Sequence, residues 1–228
     1  MKTTKTAQRL IIPMPDYVRI FRVMRAVIER IDADSNAASL FFTMTGAAML
    51  RHFYKKEARV LAGAAFFLLD HKSHSVLSFA KSADGEIEKI IVDSVDSLDS
   101  DKENFHCWLE CEGQIIDFQA LAFPEAMARM GSGIRIPRQM FQQQKAAMSS
   151  SHKSLKTAGD FYLQANIALT NELVRAFFAS PLQMDLMRGC MKWFTRPPKK
   201  ISAGMSMEDG EGTIYEMVLD EIEVSGAW

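Results

Sequence analysis

The stretch Asn104-Phe105-His106-Cys107-Trp108-Leu109-Glu110-Cys111-Glu112-Gly113-Gln114-Ile115-Ile116-Asp117-Phe118-Gln119 decides how this chain is read. Apolar and aromatic residues flank Glu112-Gly113, which predicts a β-hairpin. Side chains alternate faces along a strand, so His106, Trp108 and Glu110 share one face. If Glu112-Gly113 forms a two-residue turn, Trp108 sits opposite Asp117 and His106 opposite Gln119. His106 and Asp117 are then diagonal neighbours within side-chain reach. A three-residue loop would instead send Asp117 to the other face. A histidine oriented by a carboxylate is the base half of a nucleophilic triad.

Composition sets the frame around this hairpin. The 228 residues are 48% hydrophobic, enough for a sizeable core without staples. A net charge of −1 gives no electrostatic reason to expect nucleic acid or a membrane surface as partner. Cys107, Cys111 and Cys190 are too few for a disulfide framework. Met1 to Gln8 is polar, and Pro13 and Pro15 interrupt the apolar run behind it, so no signal peptide is expected. The apolar stretch Leu40 to Leu50 is too short to span a bilayer, which takes about 20 residues. The expectation is a soluble, reduced, cytoplasmic protein.

Outward from the hairpin, Pro13-x-Pro15-Asp16 reads as a helix start. Val18, Phe21, Met24, Val27, Ile28 and Ile31 follow at helical spacing, with Arg19, Arg22, Arg25 and Glu29 opposite. Ser35-Asn36 is expected to cap a second helix over Ala37 to Tyr54. That helix is apolar nearly all round (Leu40, Phe41, Phe42, Met44, Ala47, Ala48, Met49), as befits the middle of a fold. Strands are predicted at Arg59–Leu69, Ser75–Phe79 and Ile87–Val92. Ser94 to Asn104 reads as a solvated acidic loop. The second half reads as mostly helical. It has a short helix or turn over Pro124–Gly131, a helix over Pro137–Met148 and a flexible Ser149–Ser154 link. An amphipathic helix over Asp160–Phe178 follows, then one from Ser180-Pro181 to Phe194, then a closing strand within Thr213–Val224. One α+β domain over residues 1–228 follows from this order, with a core at 16–123 and a mostly helical extension at 124–228.

A triad needs a nucleophile, and the N-terminus of the central helix is its natural place, with a partial positive charge and free N–H groups. Here the residues meet a known pattern. A buried helix, a strand carrying Arg59-Val60-Leu61-Ala62-Gly63, His106-x-Trp108-x-Glu110 and a strand bearing Asp117 resemble the papain-like superfamily. The likeness is to its transglutaminase-like and arylamine N-acetyltransferase-like branches. Asn36-Ala37-Ala38-Ser39-Leu40-Phe41-Phe42, Gly46-Ala47-Ala48-Met49-Leu50 and Ile115-Ile116-Asp117-Phe118 further resemble a bacterial family of that superfamily, domain of unknown function 2026. The resemblance covers about residues 16 to 123. It implies a central helix packed on an antiparallel sheet, His106 as catalytic histidine and Asp117 as its acid. It places the family's cysteine at Ser39, although no cysteine occurs in that helix. A thiol of pKa about 8.5 can be ionised at such a site, whereas a serine must lose its proton to the histidine during attack.

Two functions from different classes follow. In the first, Ser39 attacks an amide or ester, His106 is base then acid, Asp117 orients His106, and backbone N–H groups near Ser39 hold the oxyanion. Hydrolysis and acyl transfer share this apparatus, with a small molecule or peptide as substrate and no cofactor. In the second, the fold keeps the cleft and binds a ligand or partner without turnover. Asn36, Trp108 and Gln119 are candidates for the oxyanion hole or cleft wall. The plainer readings are an Asn36 helix cap and a Trp108 packed beside the histidine. A metal site is not expected, because alternation turns Cys107 and Cys111 away from His106 and Glu110. His71 and His74 stand alone on a turn.

Overall fold

The structure is a computed structural model describing residues 10–31, 35–70, 75–82, 98–129, 135–208 and 212–228. Helix α1 spans Met14–Ile28, and Pro13, extended at φ −60° and ψ 146°, is its N-cap. Pro15 and Asp16 lie in its first turn and Arg25 in its last, matching the helix dipole at both ends. Helix α2 spans Ser35–Met49 and continues as a wide turn over Leu50–Tyr54, closed by Lys55 in the left-handed region at φ 57°. Asn36 therefore lies inside the helix and is not its cap. Phe41, Phe42, Met44, Met49 and Leu50 are all buried, as expected of a helix without a polar face.

Strand β1 (Arg59–Asp70) is buried along nearly all of its length, and β2 (Ser75–Phe79) pairs with it antiparallel. The short strands β3 (Lys81–Ser82) and β4 (Leu98–Asp99) pair with each other. The predicted strand at Ile87–Val92, His71, His74 and the start of the Ser94–Asn104 loop lie outside the described residues. Strands β5 (His106–Cys111) and β6 (Gln114–Asp117) form the hairpin, with Cys111 opposite Gln114 and Leu109 opposite Ile116. Glu112 at φ 47° and Gly113 at φ 76° are the two turn residues, both in the positive-φ region a tight hairpin turn demands. The register is thus the two-residue one.

The short helix α3 (Phe123–Arg129) follows a 3₁₀ turn at Phe118–Ala122. Beyond it, the structure departs from the predicted helices. Within Pro137–Met148, strand β7 (Phe141–Gln144) pairs with β6 and only Lys145–Ala147 forms a helical turn. Within Asp160–Phe178, strand β8 (Phe161–Ala165) pairs with β1 before helix α4 (Ile167–Ala179) begins. Asn166 separates the two, accepting the Leu169 N–H at 3.0 Å as an N-cap. Ser149–Ser154 is an ordered turn in which Ser151 and Ser154 cap each other. Helix α5 spans Pro181–Trp193, capped by Ser180. The closing strand is β10 (Ile214–Val218), and it pairs with β9 (Gly204–Glu208) in a separate ribbon.

The main sheet is antiparallel and curled, in the order β2-β1-β5-β6-β7, with β8 also on β1. The fold is mixed, with helices packed on this sheet. Leu109, Cys111 and Ile116 meet α1, α2 and α5 on one face. Trp108, Ile115, Phe67, Phe123, Phe141 and Phe161 fill the other. No helix among the described residues is long and apolar enough to cross a membrane.

Candidate active site at the open end of the hairpin

The site forms where the β5–β6 ladder stops. Alternate residues of an antiparallel strand turn their N–H groups to the same neighbour. Cys107 therefore points its N–H the way Leu109 does, toward β6. The register would place Phe118 opposite, but Phe118 has already turned into the 3₁₀ segment. Ser39, on α2, fills the gap, and its Oγ accepts the Cys107 N–H at 2.9 Å. The same Oγ lies 3.2 Å from His106 Nδ1. His106 Nε2 lies 2.8 Å from Asp117 Oδ2. With the carboxylate accepting from Nε2–H, Nδ1 is left as acceptor for the Ser39 hydroxyl proton.

Asp117 is held on its other oxygen as well. Its Oδ1 accepts the Gln119 N–H at 2.9 Å, which caps the 3₁₀ turn. Its main-chain carbonyl accepts from the Tyr17 hydroxyl of α1. The imidazole is boxed by aromatic rings. Phe79 stacks on it at 4.5 Å and 26°, with Phe67 edge-on at 5.7 Å and Phe123 at 6.0 Å. Gly63 lies opposite His106 on β1 and opposite Ala165 on β8. A Cβ there would stand 2.0 Å from the Gln164 carbonyl, so the close approach of β8 beside the histidine demands glycine.

The relay is sealed. Ser39 is 2% exposed, His106 0% and Asp117 2%, where the sequence reading expects a cleft. A polar cavity of about 250 Å³ between β8 and Asp99-Ser100 contains none of the three. Burial pushes the Cys107 thiol well above its usual range, and the charge of Asp117 adds to this while a bond to Ser39 opposes it. Cys190 is raised by burial too.

The remaining candidates sit elsewhere than expected. Asn36 donates its amide to the Glu103 carbonyl at 2.6 Å, which ties α2 to the segment leading into β5. Trp108 is 2% exposed in the phenylalanine-rich core, and its indole N–H has no partner among the described residues. Gln119 enters through its backbone N–H. Unbonded N–H groups of a helix belong to its first turn, and Ser39 stands one turn in, so its own amide is not a free oxyanion donor. Tyr17, Phe79 and Phe123 escape the sequence reading, and Gly63 enters it only within the Arg59–Gly63 stretch, without a role. They come from four different elements, and only the glycine inside an apolar strand carries a local signal.

The chain is similar to a solved structure described as "The crystal structure of genomics APC5867". Their identity is 29% and the TM-score 0.81, covering 98% of this chain and 100% of that one. No curated protein matches it. The family described as "Protein of unknown function (DUF2026)" matches residues 13–228, a span that takes in both the relay and the second half of the chain. The chain belongs to the DUF2026 family.

Proposed function

We propose that Ser39, His106 and Asp117 form an acyl-transfer or amide-hydrolysis site on a scaffold of the papain-like/transglutaminase-like kind. The observation that carries this reading is the unbroken relay, 3.2 Å from Ser39 Oγ to His106 Nδ1 and 2.8 Å from Nε2 to Asp117 Oδ2. These are distances at which a base takes a proton from its nucleophile. Ser39 Oγ attacks the acyl carbon and its proton passes to Nδ1. The imidazolium, held through Nε2–H by Asp117, returns that proton to the departing amine or alcohol. Water or an amine then attacks the acyl-serine, loses its proton to Nδ1, and Ser39 recovers it. This sequence needs no cofactor, and its substrate is a small molecule or peptide bearing an amide or ester.

A small fluorophosphonate tests the reading. Slow labelling confined to Ser39 is expected, because a hydroxyl is not ionised by a helix terminus. His106→Ala should lower that rate by about 10²–10⁴-fold, the usual worth of general-base assistance. Labelling of Ser39 that is indifferent to His106→Ala refutes the reading. The burial of all three residues favours a second reading, a binding scaffold without turnover. Absence of any labelling at Ser39, even after long exposure, would favour that one.

A further inference from the structure

Asp117 ends β6, and what fixes the end of that strand decides where its carboxylate points. Phe141 is its partner at the last rung of the β6–β7 ladder. Tyr17, on α1 and fully buried, stands at this rung. Its hydroxyl donates to the Asp117 carbonyl and accepts the Phe141 N–H at 3.4 Å. Its ring lies 4.8 Å from that of Phe118, the first residue after the strand. One phenol thus touches the residue before the turn, the first residue of the turn and the neighbouring strand. Together with the Gln119 N–H on Oδ1, it leaves Oδ2 free to face His106 Nε2.

We propose that Tyr17 is a positioning residue for the His106–Asp117 pair, its hydroxyl pinning the Asp117 peptide so that Oδ2 stays on Nε2–H. As a role in catalysis, this rests on the acyl-transfer reading above. The phenol suits a fixed donor. Burial first, and the charge of Asp117 second, raise it well above the usual tyrosine range, so it keeps its proton at neutral pH. The lever is short, since the carbonyl and the carboxylate belong to one residue. A displacement of about 1 Å at a catalytic group can cost about 10²-fold in rate.

The test uses two readouts on the full chain. One is the ¹H resonance of His106 Nε2–H, protected from exchange by burial and moved downfield by its carboxylate partner. The other is the pH profile of iodoacetamide alkylation at position 39 in a Ser39→Cys background. Tyr17→Phe should shift the resonance upfield and lower the alkylation rate near pH 5 by up to about 20-fold, with little change at about pH 7. Tyr54→Phe is the control. It removes a phenol that also anchors α1, through Asp16 at 2.7 Å, without touching Asp117. It should move neither readout. If Tyr17→Phe does not fold, replacing tyrosine throughout by 3-fluorotyrosine, a stronger donor of nearly the same shape, still moves the resonance when Tyr17 sets that bond. A resonance unmoved by either replacement overturns the proposal. A resonance that moves while the thiol at position 39 titrates like a free cysteine upholds the positioning role and removes the acyl-transfer reading alone.

Discussion

Replacing Ser39 by cysteine converts the site into a reporter of its own electrostatics. The new thiol would stand on α2, about one turn from its start, against His106 Nδ1, with Asp117 Oδ2 2.8 Å behind the ring. Helix termini and imidazolium partners bring cysteine thiols to roughly 3.5–7.5 from about 8.5. Taking roughly 6, about 90% is thiolate at pH 7, against about 3% for a free thiol, a gain of about 30-fold. A less basic thiolate is also a poorer nucleophile, by about 13-fold over this span, so the net advantage at pH 7 is only about 2-fold. At pH 5 the thiolate fractions are about 9% and 0.03%, and the net advantage grows to about 20-fold. The informative assay is therefore alkylation from pH 4.5 to 9, with the label located by mass spectrometry. Burial slows every point by a common factor, so the shape of the curve is independent of access. The expected curve is flat down to about pH 7 and half-maximal near pH 6. Cys107 and Cys190, both raised by burial, serve as silent internal references. A single inflection near pH 8.5 at position 39 would show that the His106–Asp117 pair exerts no pull on a nucleophile there, and would refute the triad argument.

Two further outcomes follow from the surroundings of the relay. Phe79 is half-buried and stacks on the imidazole, so Phe79→Ala should speed diethylpyrocarbonate modification of His106 relative to His52 and His152. The loss in stability should stay below about 3 kcal/mol, the lower bound for a fully buried ring. An unchanged modification rate would mean the ring is not the cover. Gly63→Ala forces a Cβ against the Gln164 carbonyl. It should destabilise by about 1–3 kcal/mol and lower Tm by about 6 °C, and a Tm within experimental error of the parent protein would show that β8 shifts freely.

The hairpin was legible because every part of its logic is local. Glu112-Gly113 fixes the turn, the turn fixes the register, and alternation then sets the faces of His106 and Asp117. Helix α1 was equally plain from its proline start and 3.6-residue stripe. The misread segments are those where tertiary pairing overrides propensity. Gln142, Gln143, Gln144, Lys145, Ala146 and Ala147 favour a helix, yet β6 offers its open edge and Gln142 accepts the Ile12 N–H at 3.2 Å. Phe161 and Leu163 are buried on a strand, but the helix that follows at once carried its period back over them. A stop was present in Asn166, a capping residue inside a predicted helix. Tyr17 and Phe79 had no local mark, since their contacts with the site lie 100 and 27 positions away (117−17 and 106−79). The sealed state of the site was likewise invisible, because burial depends on elements that come together only in the fold.

That sealing, rather than the absence of a thiol, is the sharper obstacle to chemistry. A serine hydroxyl has one proton to give and two lone pairs. In the relay the proton faces Nδ1 and one lone pair takes the Cys107 N–H, which leaves the second free for an acyl carbon. Hydrogen bonding therefore does not exhaust the nucleophile. Ser39 and His106 are nevertheless 2% and 0% exposed, so no acyl carbon reaches Oγ without movement of the cover. Phe79 is the half-exposed member of the aromatic box, whereas Phe67 and Phe123 are buried in the core. Swinging Phe79 away costs its stack on His106 and looser ring contacts with Phe67 and Phe123. Moving either of the others would open the phenylalanine-rich interior. Movement of Phe79 on the β2 side is therefore the least disruptive way to expose Oγ.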